Sequence, residues 1–363
     1  MKIVSATTGL VRLPAEEPLA GGPALLGPTH DFITLKLNTD QGLVGLGYTF
    51  FGGALIAALR SAVDALAQLT VGEDPLAIEA IIKKLRNAAS SPGPAGIATL
   101  AISAIDIALW DIKGKALGVP VATLAGGFRR TVPTYASGAL SREASLDHCL
   151  KAAVKLKADG FTQMKTQMAL PGATTIAKEV ARIREIRQAI GPDVDLMCDI
   201  NQRWDVRQAI SIGALVEEYG MFWLEDMVAC DDFAGMASVA AALKTPLAAG
   251  EYLYGTVPFR HMFEARSVDI AMVDVMRSGG ITGWLKIAGM AEAFNLPIVS
   301  HLYPDISVHL VSAVPNGLTV EYMPWSNRLF KEPLRPKNGM LEVPNKPGLG
   351  FEFDEAICAK YAG

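Results

Sequence analysis

Hydrophobic and polar positions change their rhythm once along this chain, near residue 130. Before that point the pattern is mixed. Residues 2–13 read as a strand, FITLKLN (32–38) alternates apolar and polar, Asp40-Gln41-Gly42 makes a turn, and residues 43–49 return as a second hairpin strand. Helical periodicity follows near 53–70, 75–89 and 95–117. The last of these is dense in Ala, Ile and Leu on all sides, which predicts a buried helix, and Gly118-Val119-Pro120 ends it. Between the first two strands lies an apolar, Gly- and Pro-rich stretch, PLAGGPALLGPTH (18–30), long enough for a lid over a site.

Beyond residue 130, short apolar runs alternate with amphipathic stretches such as 174–190, 206–219 and 284–294. Strands are predicted at 131–137, 163–167, 195–201, 221–226, 247–251, 270–275, 298–301 and 318–322. Repeated βα units imply a parallel sheet, and eight of them suggest closure into a TIM-type (β/α) barrel. The expected fold is therefore α/β, a modified barrel over 126–323 with an α+β capping domain over 1–125. A tail over 324–363, with little periodicity, is expected to return to the cap.

Composition narrows the partners. The 363 residues are too many for one small core, which agrees with two domains. A net charge of −4 gives no reason to expect nucleic acid or an anionic membrane. The opening MKIVSATTGLVRLP reads as a strand, not a signal peptide, and no apolar run approaches the roughly 18 residues of a membrane span. Cys149, Cys198, Cys230 and Cys358 form no CxxC pair and imply no disulfide framework. A soluble, cytoplasmic protein is expected.

The chemistry sits where the later strands end. Each is apolar until its last residues, and there stand Lys165, Asp199 with Asn201, Glu225, Glu251, Asp274, His301 and Glu321. Any one acidic strand end is more simply a helix cap or a solvated loop residue. A run of consecutive strands ending this way is not, because buried like charges repel unless something neutralises them. In a barrel these ends meet at one mouth. Asp199, Glu225 and Glu251, from three adjacent strands and without Cys or His beside them, suit a hard cation with oxygen ligands, and Mg²⁺ fits better than zinc. Asp274 beside His301 would fix the imidazole tautomer and make it a competent general base. Glu321, if protonated, would donate a hydrogen bond to a substrate oxygen. Together these parts suit removal of a proton from the carbon next to a carboxylate, whose ene-diolate needs nearby positive charge.

The segments GFTQMKTQ (160–167), CDINQ (198–202), WLED (223–226), AGE (249–251), VDVMRSGGITGW (273–284), VSHL (299–302) and VEY (320–322) resemble the enolase superfamily, and within it the mandelate racemase subgroup, over nearly the whole chain. The resemblance implies Asp199, Glu225 and Glu251 as Mg²⁺ ligands, Asp274–His301 as the base pair and Glu321 as the electrophilic acid. It implies Asn201 as a substrate hydrogen-bonding group, and Ser137 and Lys165 as contacts to the substrate carboxylate. It also implies a small-molecule carboxylate substrate and a homo-oligomer.

One departure matters. The subgroup usually reads Lys-x-Lys at the end of the second barrel strand, and here the chain reads Lys165-Thr166-Gln167. Glutamine cannot accept the proton, so Gln167 is left as a substrate-binding group. Arg277 also stands where Lys is commoner. A racemase needs a base on each face of the substrate carbon, whereas a dehydratase works with one. The leading expectation is dehydration of a sugar acid to a 2-keto-3-deoxy acid with His301 as base. The alternatives are a racemase or epimerase of a 2-hydroxy or amino acid, and a protein that binds metal and carboxylate without turnover. Few polar residues stand in 18–30, and Phe50, Phe51 and Trp325 read first as core, so a smaller or more apolar acid also stays open.

Overall fold

Three antiparallel strands open the chain, β1 (Ile3–Pro14), β2 (Thr29–Thr39) and β3 (Val44–Thr49), in the order β1-β2-β3. Gly42, at φ +76°, supplies the left-handed residue that the β2–β3 turn needs. The computed structural model describes residues 1–21, 27–172 and 174–363. The central part of the expected lid, 22–26, lies outside the described residues.

Helices α1 (Ile56–Gln68) and α3 (Ile97–Leu117) pack on this sheet, and α2 (Ile78–Ala88) packs against α3. α3 lies on β3 so closely that a Cβ at Gly45 or Gly47 would run into the carbonyls of Ala108 and Ala104. Its other side faces the second domain, where Trp110 Nε1 donates to Thr282 Oγ1 at 2.9 Å and Thr282 N donates to Asp106 at 3.0 Å. Covered on both sides, the helix carries apolar residues all round.

The remaining strands are β4 (Thr131–Leu140), β5 (Gln163–Gln167), β6 (Asp195–Asp199), β7 (Met221–Glu225), β8 (Leu247–Ala249), β9 (Ile270–Asp274), β10 (Ile298–His301) and β11 (Val320–Tyr322). Each pairs in parallel with the next from β4 to β10, and β11 pairs in parallel with β4. A bridge between Ile298 and Gly317, with Leu318 N donating to Ile298 O at 2.8 Å, joins the two ends. Tyr135, Met197, Trp223, Ala248, Ile270, Met272 and Val299 fill the interior as one cluster, so the barrel is a packed floor beneath its mouth. Outward residues such as Cys198, Leu224 and Val273 join the larger core shared with the helices.

Several strand ends differ from the sequence expectation. β6 stops at Asp199 and β8 at Ala249, because Asn201, Gln202 and Gly250 turn into positive φ and leave the ladder. β4 runs on to Leu140 past a register irregularity after Ala136. The tail holds a three-residue strand, β12 (Met340–Glu342), antiparallel to the start of β4, too short to leave a periodic signal. It then reaches the cap, where Leu349 N donates to Asp111 and Val11 bridges Ala362. Asp305, just after β10, accepts from Tyr48 Oη at 2.8 Å and Ser326 Oγ at 2.9 Å, tying cap, barrel and tail at one buried point.

Candidate active site

Parallel register places the chemistry on shared rungs. Gln167 pairs with Asp199 and Asp199 with Glu225, while His301 pairs with Asp274. Residues paired across a parallel sheet point to the same side, so one inward position puts the whole row into the mouth. There a cavity of about 410 Å³ is lined by Lys165, Gln167, Asp199, Asn201, Glu251, His301 and Glu321 among others. Glu225 and Asp274 lie beneath its surface, both essentially fully buried.

Lys165 holds the carboxylates together. Its Nζ lies 2.7 Å from Glu225 Oε1 and 2.7 Å from Glu321 Oε1. Burial works against the ammonium, but Glu225 and Glu321 outweigh it and hold its pKa well above the usual lysine range. Trp223 Nε1 donates to Glu225 Oε2 at 2.9 Å, and the backbone and side-chain amides of Asn201 both donate to Asp199. Burial pushes the carboxyls of Asp199 and Glu225 up, to about 6 and about 8, against the pull of Lys165. The cost of burial also falls on Glu321, yet Lys165 and His301 bring it down to about 2. The carboxylate of Glu321 also accepts from Leu302 N at 2.7 Å, so it is ionised here instead of protonated.

Oxygens of Asp199, Glu225 and Asp226 lie within 4.8 Å of one another. An all-oxygen, buried, like-charged group of this kind fits a hard divalent cation. Glu251, the third ligand expected from sequence, lies at the same mouth with Oε2 turned 3.1 Å from His301 Nε2. Asp226, the last residue of WLED and given no role from the sequence, is buried with neither carboxylate oxygen bonded among the described residues.

The histidine is held from behind. Asp274 Oδ1 accepts from the backbone amides of Met276 and Arg277, both at 2.8 Å, which leaves Oδ2 2.7 Å from His301 Nδ1. This fixes the ring so that Nε2 faces the cavity. Burial opposes its charge, but Glu251 and Asp274 raise its pKa to about 9. Phe51 stacks on the ring, with centroids 6.1 Å apart and planes at 9°. The guanidinium of Arg277 lies 4.0 Å above Phe51 and donates to Glu251 O at 2.8 Å.

On the facing wall Gln167, Asn201 and Arg142 carry no titratable base, and Glu143 beside them also lines the cavity. Gln167 Oε1 accepts from Arg142 N at 3.2 Å, and its Nε2 donates to Asn201 Oδ1 at 3.2 Å. Arg142, buried in the loop after β4, donates through Nη2 to Asp199 O at 2.8 Å and Asn201 Oδ1 at 2.6 Å. Its Nε has no partner among the described residues. Arg203 and Tyr252 line the same cavity. Ser137 does not: it is buried within β4, and Gly138 and Ser141 further along the strand end line the space instead, because β4 continues past the point where its apolar pattern ends. Phe51 and Trp325, read first as core, line the cavity, whereas Phe50 packs behind them against Phe32 and Trp325. The polar lining missing from 18–30 thus comes from the barrel loops.

A parallel barrel with carboxylates, a lysine and a carboxylate-held histidine converging at its mouth defines a barrel enzyme built for proton transfer at an anionic substrate. Comparison with known proteins makes the class specific: the chain belongs to the mandelate racemase/muconate lactonizing enzyme family of the enolase superfamily. Residues 27–126 match the mandelate racemase/muconate lactonizing enzyme N-terminal domain, and residues 148–357 match the enolase C-terminal domain-like family. Among its relatives is an L-talarate/galactarate dehydratase of Salmonella typhimurium, 32% identical over 95% of this chain and 87% of that protein. The crystal structure of the Salmonella typhimurium LT2 L-talarate/galactarate dehydratase superposes with a TM-score of 0.93, covering 100% of this chain and 92% of that one at 31% identity. A 3,6-anhydro-α-L-galactonate cycloisomerase of Streptomyces coelicolor is 31% identical over 96% of both proteins. The L-talarate dehydratase of Polaromonas sp. JS666, crystallised with Mg and L-glucarate, gives a TM-score of 0.91 at 30% identity over 100% of this chain and 97% of that one. Among the described residues no helix is long and apolar enough to cross a membrane.

Proposed function

We propose that this protein is a Mg²⁺-dependent dehydratase of polyhydroxylated acids, working with His301 as its one base. The observation that carries the reading is the difference between the two cavity walls: Asp274–His301 on one, and Gln167, Asn201 and Arg142 on the other. Lys165 does not stand in for the missing base. Paired to Glu225 and Glu321 and raised well above its usual pKa, it keeps its proton.

Asp199, Glu225 and Glu251 would hold Mg²⁺, which supplies positive charge to the substrate carboxylate as its neighbouring carbon is deprotonated. Relatives crystallised with Mg support a magnesium site. Lys165 would face that carboxylate and add charge stabilisation. His301 Nε2 takes the α-proton, and Asp274 stabilises the imidazolium that forms. The β-carbon–oxygen bond then breaks, the hydroxyl leaves as water with the proton from His301, and the enol product tautomerises to a 2-keto-3-deoxy acid. Gln167, Asn201, Arg142 and Arg203 offer donors and acceptors for the hydroxyls of such a substrate, which are costly to bury unpaired. This favours a sugar acid over a smaller, apolar acid. The reading includes a cytoplasmic homo-oligomer; the four unpaired cysteines support the compartment.

The test is proton NMR in D₂O with Mg²⁺ on pooled aldonic and aldaric acids, together with simple 2-hydroxy and amino acids. Signals of a 2-keto-3-deoxy product support the proposal and name the substrate. Loss of an α-proton signal without water loss replaces dehydration with racemisation or exchange. No change in any pool sinks the dehydratase reading.

A further inference from the structure

Asp226 follows directly on Glu225, one residue beyond β7. Its φ of +43° lies in the left-handed region that L residues rarely adopt. The backbone is pinned there, since Asp226 N donates to Ala248 O at 3.0 Å and Gln202 N donates to Asp226 O at 2.7 Å. Successive residues of a strand face opposite sides, so a regular continuation of β7 would turn Asp226 away from Glu225. The left-handed turn keeps one of its oxygens within 4.8 Å of ligand atoms on both Asp199 and Glu225.

The side chain is 1% exposed, and among the described residues neither oxygen has a hydrogen-bond partner. A buried carboxylate without a donor is strongly unfavourable. Protonation would remove the charge but still leave the other oxygen without a donor. Its neighbours carry its own sign, and the ammonium of Lys165 is paired with Glu225 and Glu321. What such a group lacks is a cation or the water that a cation holds.

We infer that Asp226 is a fourth carboxylate of the divalent-cation site, facing the cation or its bound water, so that affinity depends on it as well as on Asp199, Glu225 and Glu251. The inference rests on the metal reading given under the proposed function.

The experiment is Mn²⁺ titration of the full-length protein followed by electron paramagnetic resonance, with Mg²⁺ competition and thermal melting in chelator. It compares the wild type with Asp226→Asn and, as a second shape, Asp226→Ser, each checked by circular dichroism. Asp226→Asn is expected to bind Mn²⁺ about 10–100-fold more weakly, as supporting groups of metal sites do when changed, while its melting temperature in chelator stays close to that of the wild type. Wild-type binding that survives unchanged in both variants overturns the inference and leaves the three-carboxylate site standing. Weaker binding accompanied by a lower melting point in chelator also overturns it, since Asp226 would then be a structural residue. If the wild type itself binds no Mn²⁺, the metal reading fails first and the inference goes with it.

Discussion

The two walls of the cavity are built from the same material and do different work. Both stand on barrel strand ends, both are largely buried, and both carry polar side chains locked by backbone groups. The His301 wall holds its ring between Asp274 and Glu251 and can change its proton count. On the Gln167 wall the groups interlock as donor and acceptor, Arg142 to Gln167 and Asn201, and Gln167 to Asn201, with no base among them. Under the proposed function, a fold that supplies equivalent positions on both sides separates proton transfer from substrate holding by residue type alone.

The largest test of this separation is His301→Asn. Its expected effect is a loss of kcat of about 10³-fold or more, in line with removal of a general base, with the Mg²⁺-induced rise in melting temperature preserved. A comparable loss from any variant of the opposite wall would break the comparison. Asp274→Asn should cost about 10²–10³-fold in kcat and change the pH profile. The base works unprotonated, so activity rises with pH through the histidine pKa. Asp274 helps to raise that pKa, so its loss should move the rising limb to lower pH.

Gln167→Lys puts a second base on the silent wall. The expected outcome, read by NMR in D₂O, is slow α-proton exchange or epimerisation beside dehydration. The lysine cannot accept from Arg142 N, and that lost hydrogen bond should cost about 1 kcal/mol of stability in thermal melts. The smallest effect is expected for Arg142→Gln: a KM raised about tenfold, equivalent to one charge-assisted hydrogen bond, with kcat and the pH midpoint close to wild type. A shifted midpoint would mean that the two walls are electrostatically one.

Much of this was legible before any coordinates. The later barrel strands announce themselves because their apolar runs break at charged residues, and that same break marks the mouth. Lys165, Asp199, Glu225, Glu251, His301 and Glu321 are therefore visible twice, as strand ends and as chemistry. Arg142 was hidden because β4 runs to Leu140, past the end of its apolar pattern and a register irregularity, which left Arg142 looking like an ordinary loop residue. Asp226 was hidden for a different reason. An adjacent Glu-Asp pair on a strand implies one side chain in and one out, and only the left-handed backbone brings both to one side. Ser137 shows the converse: a polar residue in the expected place, on a strand whose cavity-facing residues come later. Phe51 belongs to the cap, and nothing in its local pattern says that it will stack on a histidine of the barrel.

The rung that joins Gln167, Asp199 and Glu225 has a consequence for how such a protein changes over time. Every slot on it is served by its own strand, and the backbone ladder that sets its height does not depend on which side chain fills it. One codon can therefore change the side chain at one slot while its neighbours keep their places. New chemistry can be auditioned strand by strand, with no stage at which the barrel must be rebuilt.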